Sequence, residues 1–193
     1  ILLQTMDTAK SIIVNNKADI VSGGGDISVL AGKDITVNTD ADITSTATGT
    51  LDIEATSGAI DFSTTSHQST GSGHIRLWAK TNITLGGKAS TTGHLSATAD
   101  TGWLRDGDSD NSVDIESDGL RLDAAVGIGR LGSGTVNPIE TTVTTVSAVS
   151  GSEGISLLES NDLVIADTTA TVNRVTADAT TSATTDAAQS DLV

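Results

Sequence analysis

Several residue types that crosslink or catalyse in other proteins are missing or scarce in this chain. Its 193 residues include no cysteine, no tyrosine and one proline, and aromatic residues make up 2% of it. Without cysteine there can be no disulfide bond, thiolate metal site or cysteine nucleophile. No apolar run approaches the roughly 20 residues of a membrane-spanning helix, so we expect no membrane insertion.

Positive charge is also scarce. Ten Lys and Arg residues stand against 25 Asp and Glu, which gives a formal net charge of -15 at pH 7. A nucleic acid would be repelled by such a chain, so we expect no nucleic-acid partner. Multivalent cations remain possible partners. The length is typical of one or two domains.

Short segments of alternating apolar and polar residues indicate β-strands with one buried face. Examples are the Ile-Ser-Val of residues 27–29 and the Ile-Arg-Leu of residues 75–77, and glycine often stands just before such segments. High net charge with few aromatics would also suit a disordered chain. Regular alternation argues against disorder here.

A longer period is superimposed on this alternation. Ile27, Leu51, Ile75 and Leu95 recur 24, 24 and 20 positions apart. Periods of this size indicate stacked repeats. Because the segments between strands lack a helical apolar stripe, helical solenoids are disfavoured, and propeller blades would be longer. The sequence predicts an all-β, right-handed parallel β-helix with about three short strands per coil of 20–25 residues.

The regularity of the pattern divides the chain into three parts. Residues 1–100 predict regular coils, residues 101–112 a protruding acidic loop, and residues 113–193 further coils with an irregular Gly/Pro insertion near 127–139. Since the pattern is already running at Ile1 and still running at Val193, we expect the chain to be an excerpt of a longer polypeptide.

The repeated Gly-x-Ile-x-Leu/Val units resemble a known group of proteins. Residues 25–29, the Asn137-Pro138-Ile139 stretch and residues 154–157 are similar to segments of large repetitive bacterial exoproteins, the filamentous haemagglutinin-like adhesins. The resemblance implies a right-handed β-helix, a cell-surface or extracellular location, and a role as adhesin shaft or filament subunit. Its partners would be flanking repeats of the same chain or other copies stacked end to end, with host or matrix glycans as further candidates.

One short motif suggests a metal site. Asp106, Asp108 and Asp110 alternate along the chain, so their carboxylates could converge on one Ca²⁺ ion, with Asp114 as a further ligand. The motif lacks the glycine and the final glutamate of an EF-hand loop. A solvated acidic loop is the alternative, and we expect no cofactor to be required beyond a possible Ca²⁺.

The repeat period also predicts which residues stack in neighbouring coils. His74 and His94 should lie one above the other, where two imidazoles could hold a transition metal or could simply face solvent. Asp52 and Arg76 should pair across adjacent coils as an exposed ion pair.

Catalytic motifs were not found, so we predict a non-catalytic protein with no catalytic residues. Gly-x-Ser-x-Gly and His-Glu-x-x-His patterns are both missing from the sequence. Because a β-helix also suits carbohydrate enzymes, two alternatives stay open. One is a carbohydrate-binding or carbohydrate-cleaving domain in which an outward Trp78 contacts glycan, and the other is a calcium-dependent surface-layer component.

Overall fold

The computed structural model describes residues 1–108, 110–132 and 136–193 as β-strands joined by short turns. Ser109 of the acidic motif and residues 133–135 of the insertion therefore lie outside the described residues. The part of the chain that is described contains no helix long and apolar enough to cross a membrane. The strands are β1 (Leu2–Gln4), β2 (Ile12–Val14), β3 (Ile20–Ser22), β4 (Ile27–Ala31), β5 (Ile35–Val37), β6 (Ile43–Ser45), β7 (Leu51–Ala55), β8 (Ile60–Phe62), β9 (His67–Ser69), β10 (Ile75–Ala79), β11 (Ile83–Leu85), β12 (Lys88–Ser90), β13 (His94–Ala99), β14 (Trp103–Asp106), β15 (Ile115–Ala124), β16 (Gly127–Ile128), β17 (Ile139–Ser150), β18 (Leu157–Glu159), β19 (Val164–Ile165), β20 (Thr171–Val175) and β21 (Thr181–Thr185).

Three parallel ladders give the molecule its shape. We call them faces A, B and C. Face A stacks β1-β4-β7-β10-β13, then the second halves of β15 and β17, and then β19. Face B is the ladder β2-β5-β8-β11-β14-β16, and face C stacks β3-β6-β9-β12, the first halves of β15 and β17, and β18. The predicted parallel β-helix with three short strands per coil is confirmed.

Columns of aliphatic side chains fill the interior. The register places Ile27, Leu51, Ile75 and Leu95 directly above one another, and all four are fully buried. Burying such a side chain contributes about 1.5–3 kcal/mol. An alanine column on the same face is equally buried and consists of Ala31, Ala55, Ala79, Ala99 and Ala124. A narrow interior of this kind needs few aromatic side chains.

The segment after β19 does not continue the coils. β20 and β21 form an antiparallel hairpin whose side chains and backbone contact face A from outside. The chain then returns, and Leu192 pairs with Ala148 beside β19 on the last rung of face A. Further coils were predicted to run to residue 193, but Thr and Ala dominate this segment, and it has few of the large aliphatic residues that fill an interior column.

The predicted limits of the acidic loop, residues 101–112, and of the insertion, residues 127–139, also differ from those in the structure. Residues 103–106 form β14, and Leu104 is fully buried in the face B column above Ile83. Residues 127–128 form β16, which pairs with β14. The alternation was hidden here because β14 places Asp106 at an inward position and β16 is only two residues long. Among the described residues, the irregular parts are therefore 107–108, 110–114, 129–132 and 136–138.

Candidate metal centre and groove

The two irregular segments occupy the same corner of the solenoid in successive coils. Each connects face B to face C, the first between β14 and β15 and the second between β16 and β17. The Asn137 side chain donates a hydrogen bond to the Asp108 carbonyl at 2.9 Å, which ties the two segments together. Arg130 and Asn137 exchange backbone hydrogen bonds and close the second segment at its base.

Three buried carboxylates meet at this corner. Asp106, Asp114 and Glu140 each place one oxygen so that all three lie within 4.8 Å of one another. We call these three residues the acidic cluster. Asp106, Asp114 and Glu140 are 8%, 3% and 3% exposed, respectively. A hard cation would find three oxygen ligands here already gathered by the backbone.

The β-helix register explains how the acidic cluster forms. Asp106 occupies the inward face B position that Leu85 and Phe62 fill in the preceding coils. Asp114 and Glu140 lie in neighbouring coils of face C, where Glu140 N–H donates to an Asp114 carboxylate oxygen at 3.1 Å. A carboxylate thus replaces an aliphatic residue in a core column, which is costly without a compensating partner.

The electrostatics of the acidic cluster favour protonation or cation binding. Burial, together with the charges of Asp106 and Glu140, raises the pKa of Asp114 to about 8. Burial also raises the pKa values of Asp106 and Glu140, and nearby carboxylates add to both shifts. Among the described residues, no Lys, Arg or His forms an ion pair with the cluster.

The structure brings together part of the predicted calcium set and adds one residue to it. Asp106 and Asp114 belong to the acidic cluster, whereas Asp108 and Asp110 lie outside it. The carboxylates of Asp108 and Asp110 instead accept backbone N–H groups two residues ahead, at 3.0 and 2.6 Å. Glu140 was missed, because it follows Asp114 by 26 positions and the longer second connection puts it off the 24-residue period.

A groove of roughly 760 Å³ opens beside the acidic cluster. Asp106 forms part of its wall together with Trp103 and Arg105, and the second irregular segment supplies the opposite wall. The Arg105 guanidinium carbon lies 4.6 Å from the centroid of the Trp103 ring, a cation–π contact. The glycan contact had been predicted at Trp78, but Trp78 lies on face A between Glu54 and Thr98 and is not part of this groove.

The predicted histidine pair stacks, but Nδ1 of each ring is engaged in a hydrogen bond. The rings of His74 and His94 are 5.2 Å apart in an edge-to-face arrangement. His94 N–H donates to Nδ1 of His74, and Nδ1 of His94 lies 2.7 Å from the Thr169 carbonyl oxygen. Burial and the neighbouring His94 lower the pKa of His74. The second bond ties His94 to the segment just before β20, and a metal ion at Nδ1 of either ring would have to displace one of these bonds.

The ion pair predicted between Asp52 and Arg76 forms, but it is buried. Arg76 binds Asp52 at 3.0 Å, Glu54 at 2.8 Å and Asp186 of the returning hairpin segment at 2.9 Å. Arg174 of β20 binds Asp52 and Glu54 as well. The Asp52 side chain is fully buried. The prediction of an exposed pair was wrong because the hairpin covers the outward column of face A.

The chain was also compared with known proteins. No protein-family model, curated protein or solved structure matches it.

Proposed function

We propose that this chain is a non-catalytic shaft segment of a secreted or cell-surface repeat protein. The observation that carries the proposal is the stacking of parallel coils along one axis around an interior of buried, mostly aliphatic side chains. Each coil templates its neighbour through backbone hydrogen bonds, so length can grow by adding coils. The resemblance of the Gly-x-Ile-x-Leu/Val units to bacterial adhesins supports the same role.

The two ends of the solenoid support stacking on further coils. Leu3 and Ile165 occupy inward columns, yet they are 38% and 55% exposed, whereas their neighbours in the next coil, Val29 and Val146, are fully buried. An additional coil would cover each of these side chains. It would also pair the free backbone groups at each end.

The direction of the strands decides how two copies would join. A parallel ladder continues only when the β19 end of one copy meets the β1 end of the next. Such a head-to-tail contact uses two different surfaces and does not close, so it produces filaments instead of dimers. The residues of the last coil, 145–167, carry four acidic side chains and no Lys or Arg, while residues 1–22 carry two of each sign. This pairing avoids two acidic ends facing each other.

Analytical sedimentation of the intact chain with two lysine variants tests the proposal. Ile165→Lys places a charge in the end column, and Thr36→Lys adds the same charge on the side of face B. In about 0.15 M salt, which screens the net charge beyond about 8 Å, the parent chain and Thr36→Lys should form growing assemblies. Ile165→Lys should stay as single particles. Folded single particles for all three proteins at millimolar concentration would contradict the proposal.

The groove favours carbohydrate binding as a second function. Trp103 contributes an aromatic ring that contacts Arg105, and Arg105, Arg130 and Glu153 contribute polar groups, which is the mixture that sugar sites use. Titration with a panel of acidic and neutral glycans tests this function. Binding that Trp103→Ala abolishes and Trp78→Ala preserves would establish the groove as the site. A folded parent protein that binds no glycan in the panel would count against it.

A further inference from the structure

We propose that the acidic cluster of Asp106, Asp114 and Glu140 is a Ca²⁺ site, distinct from any role of the shaft in stacking. Two carboxylate oxygens of the cluster point to a bound cation independently of the negative charge. Asp106 Oδ2 and Glu140 Oε1 are buried and have no hydrogen-bond partner within the described part of the chain. Both residues are more than nine-tenths buried. A buried carboxylate oxygen without a partner destabilises the fold unless a proton or a cation neutralises it.

The spacing of the oxygens lets one Ca²⁺ ion contact all three carboxylates. Two oxygens that each lie about 2.4 Å from one calcium ion are at most about 4.8 Å apart, and the three carboxylates meet that limit. Mg²⁺ holds its ligands closer and usually keeps several waters, which suits a site with fewer protein carboxylates. The ligand set contains oxygen alone, so it does not select zinc or copper.

The surroundings supply the rest of a calcium coordination shell. Asp106 borders the groove, so water can reach that side of the cluster. Ca²⁺ takes six to eight oxygen ligands, and water regularly fills positions that the protein leaves open. The backbone holds the three carboxylates from two successive coils, with Asp106 on face B and the other two at the start of face C. Calcium would therefore clamp two faces and two successive coils together.

Binding can be measured directly on the intact protein. Calorimetric titration with CaCl₂ and with MgCl₂ gives the affinity and the preference between the two ions. Terbium luminescence gives a second readout, because Trp103 lies on the same strand as Asp106 and can sensitise a bound lanthanide. We expect saturable binding of one Ca²⁺ per chain, weaker Mg²⁺ binding, and terbium emission that Ca²⁺ displaces.

Two amide variants separate this site from the acidic motif seen in the sequence. Glu140→Gln keeps the size of the side chain and removes one ligand charge, so it should weaken Ca²⁺ binding at least tenfold. Asp110→Asn removes an exposed carboxylate outside the cluster and should leave the affinity unchanged. Without calcium, Glu140→Gln should melt at the same or a higher temperature than the parent, because it relieves repulsion, and its melting should no longer respond to calcium.

Three results would overturn the site. The first is a folded parent protein that binds no Ca²⁺ at about 10 mM total calcium, roughly tenfold above the weakest dissociation constants of extracellular calcium modules. The second is a Glu140→Gln variant that binds as the parent does. The third is an equal loss of binding in Asp110→Asn, which would place the ion in the exposed loop.

Discussion

Glycine at the corners lets successive coils approach at backbone distance. A Cβ atom added at Gly73 would run into the carbonyl group of Gly49 in the coil below, and one added at Gly49 would meet the carbonyl oxygens of Gly25 and Gly24 at 2.7 and 2.8 Å. The glycine of each repeat is therefore required by the close stacking, not by an unusual backbone angle. Gly23, by contrast, is free of this constraint, because an added Cβ there meets nothing within 4 Å.

Gly73→Ala should destabilise the solenoid, whereas Gly23→Ala should not. The added methyl at Gly73 overpacks against backbone, which typically costs about 1–3 kcal/mol. At Gly23 an added Cβ meets nothing within 4 Å. Chemical denaturation monitored by circular dichroism measures both free energies of unfolding. Equal stability of the two variants would show that the corner can open without cost.

At the scale of single elements, the antiparallel hairpin of β20 and β21 is held by buried charge. Arg174 and Arg76 share the carboxylates of Asp52 and Glu54, and Asp186 adds a third carboxylate. Because removing one partner leaves the others buried and unpaired, such a network is sensitive to single substitutions. The hairpin is therefore the element whose attachment depends most on electrostatics.

Arg174→Met should loosen the hairpin while the coils stay intact. Hydrogen bonds to charged groups contribute about 1.5–3 kcal/mol. A loss of about 2 kcal/mol would speed hydrogen exchange of residues 171–185 roughly 30-fold, since about 1.4 kcal/mol corresponds to a factor of ten. Exchange in β7 and β10 should change far less. Arg130→Met, at an exposed arginine outside the network, is the control. If the hydrogen-exchange rate of the hairpin does not change in Arg174→Met, then contacts other than those of Arg174 attach the hairpin to face A.

The hairpin should also loosen in acid. Burial alone would raise the pKa of Glu54, but hydrogen bonds from Arg174 and Arg76 outweigh it and lower the pKa below the ordinary 4.5. A carboxyl group with a lowered folded pKa stabilises the fold fully above its unfolded pKa, and this stabilisation is lost as pH falls through the lowered value. Amide NMR signals of β20 should therefore shift toward those of a free segment below pH 4.5. In Glu54→Gln this part of the pH dependence should disappear, and an identical profile would contradict the assignment.

At the scale of the whole molecule, the stacked coils and the hairpin are stabilised by different interactions. Faces A, B and C stack through backbone hydrogen bonds and aliphatic columns, and the hairpin lies across the outside of face A. The outward column under the hairpin is polar and consists of Ser28, Asp52, Arg76, Ser96, Arg121 and Ser147. Such a column can be solvated when the hairpin is absent.

A chain shortened to residues 1–167 should keep its parallel β-structure. Its interior columns stay complete, whereas Arg76 loses Asp186 and the Ala148 backbone loses its pairing with residues 191–193. We expect a β-type circular dichroism spectrum with a lower free energy of unfolding. A coil spectrum would instead show that the hairpin is part of the folding unit.

Local pattern determined the fold, and nonlocal packing decided the site. Alternation and the 24-residue period depend on neighbours along the chain and on one repeated register, so the strands of residues 27–99, their columns and the stacking of Asp52 on Arg76 could be read from the sequence. The coverage of that pair could not, because the hairpin comes from residues more than a hundred positions away. Glu140 likewise joins Asp106 and Asp114 only once two connections of unequal length fold onto one corner. A regular repeat predicts which residues of neighbouring coils lie next to each other. An insertion changes the number of residues per coil, so only the folded structure then shows which side chains meet.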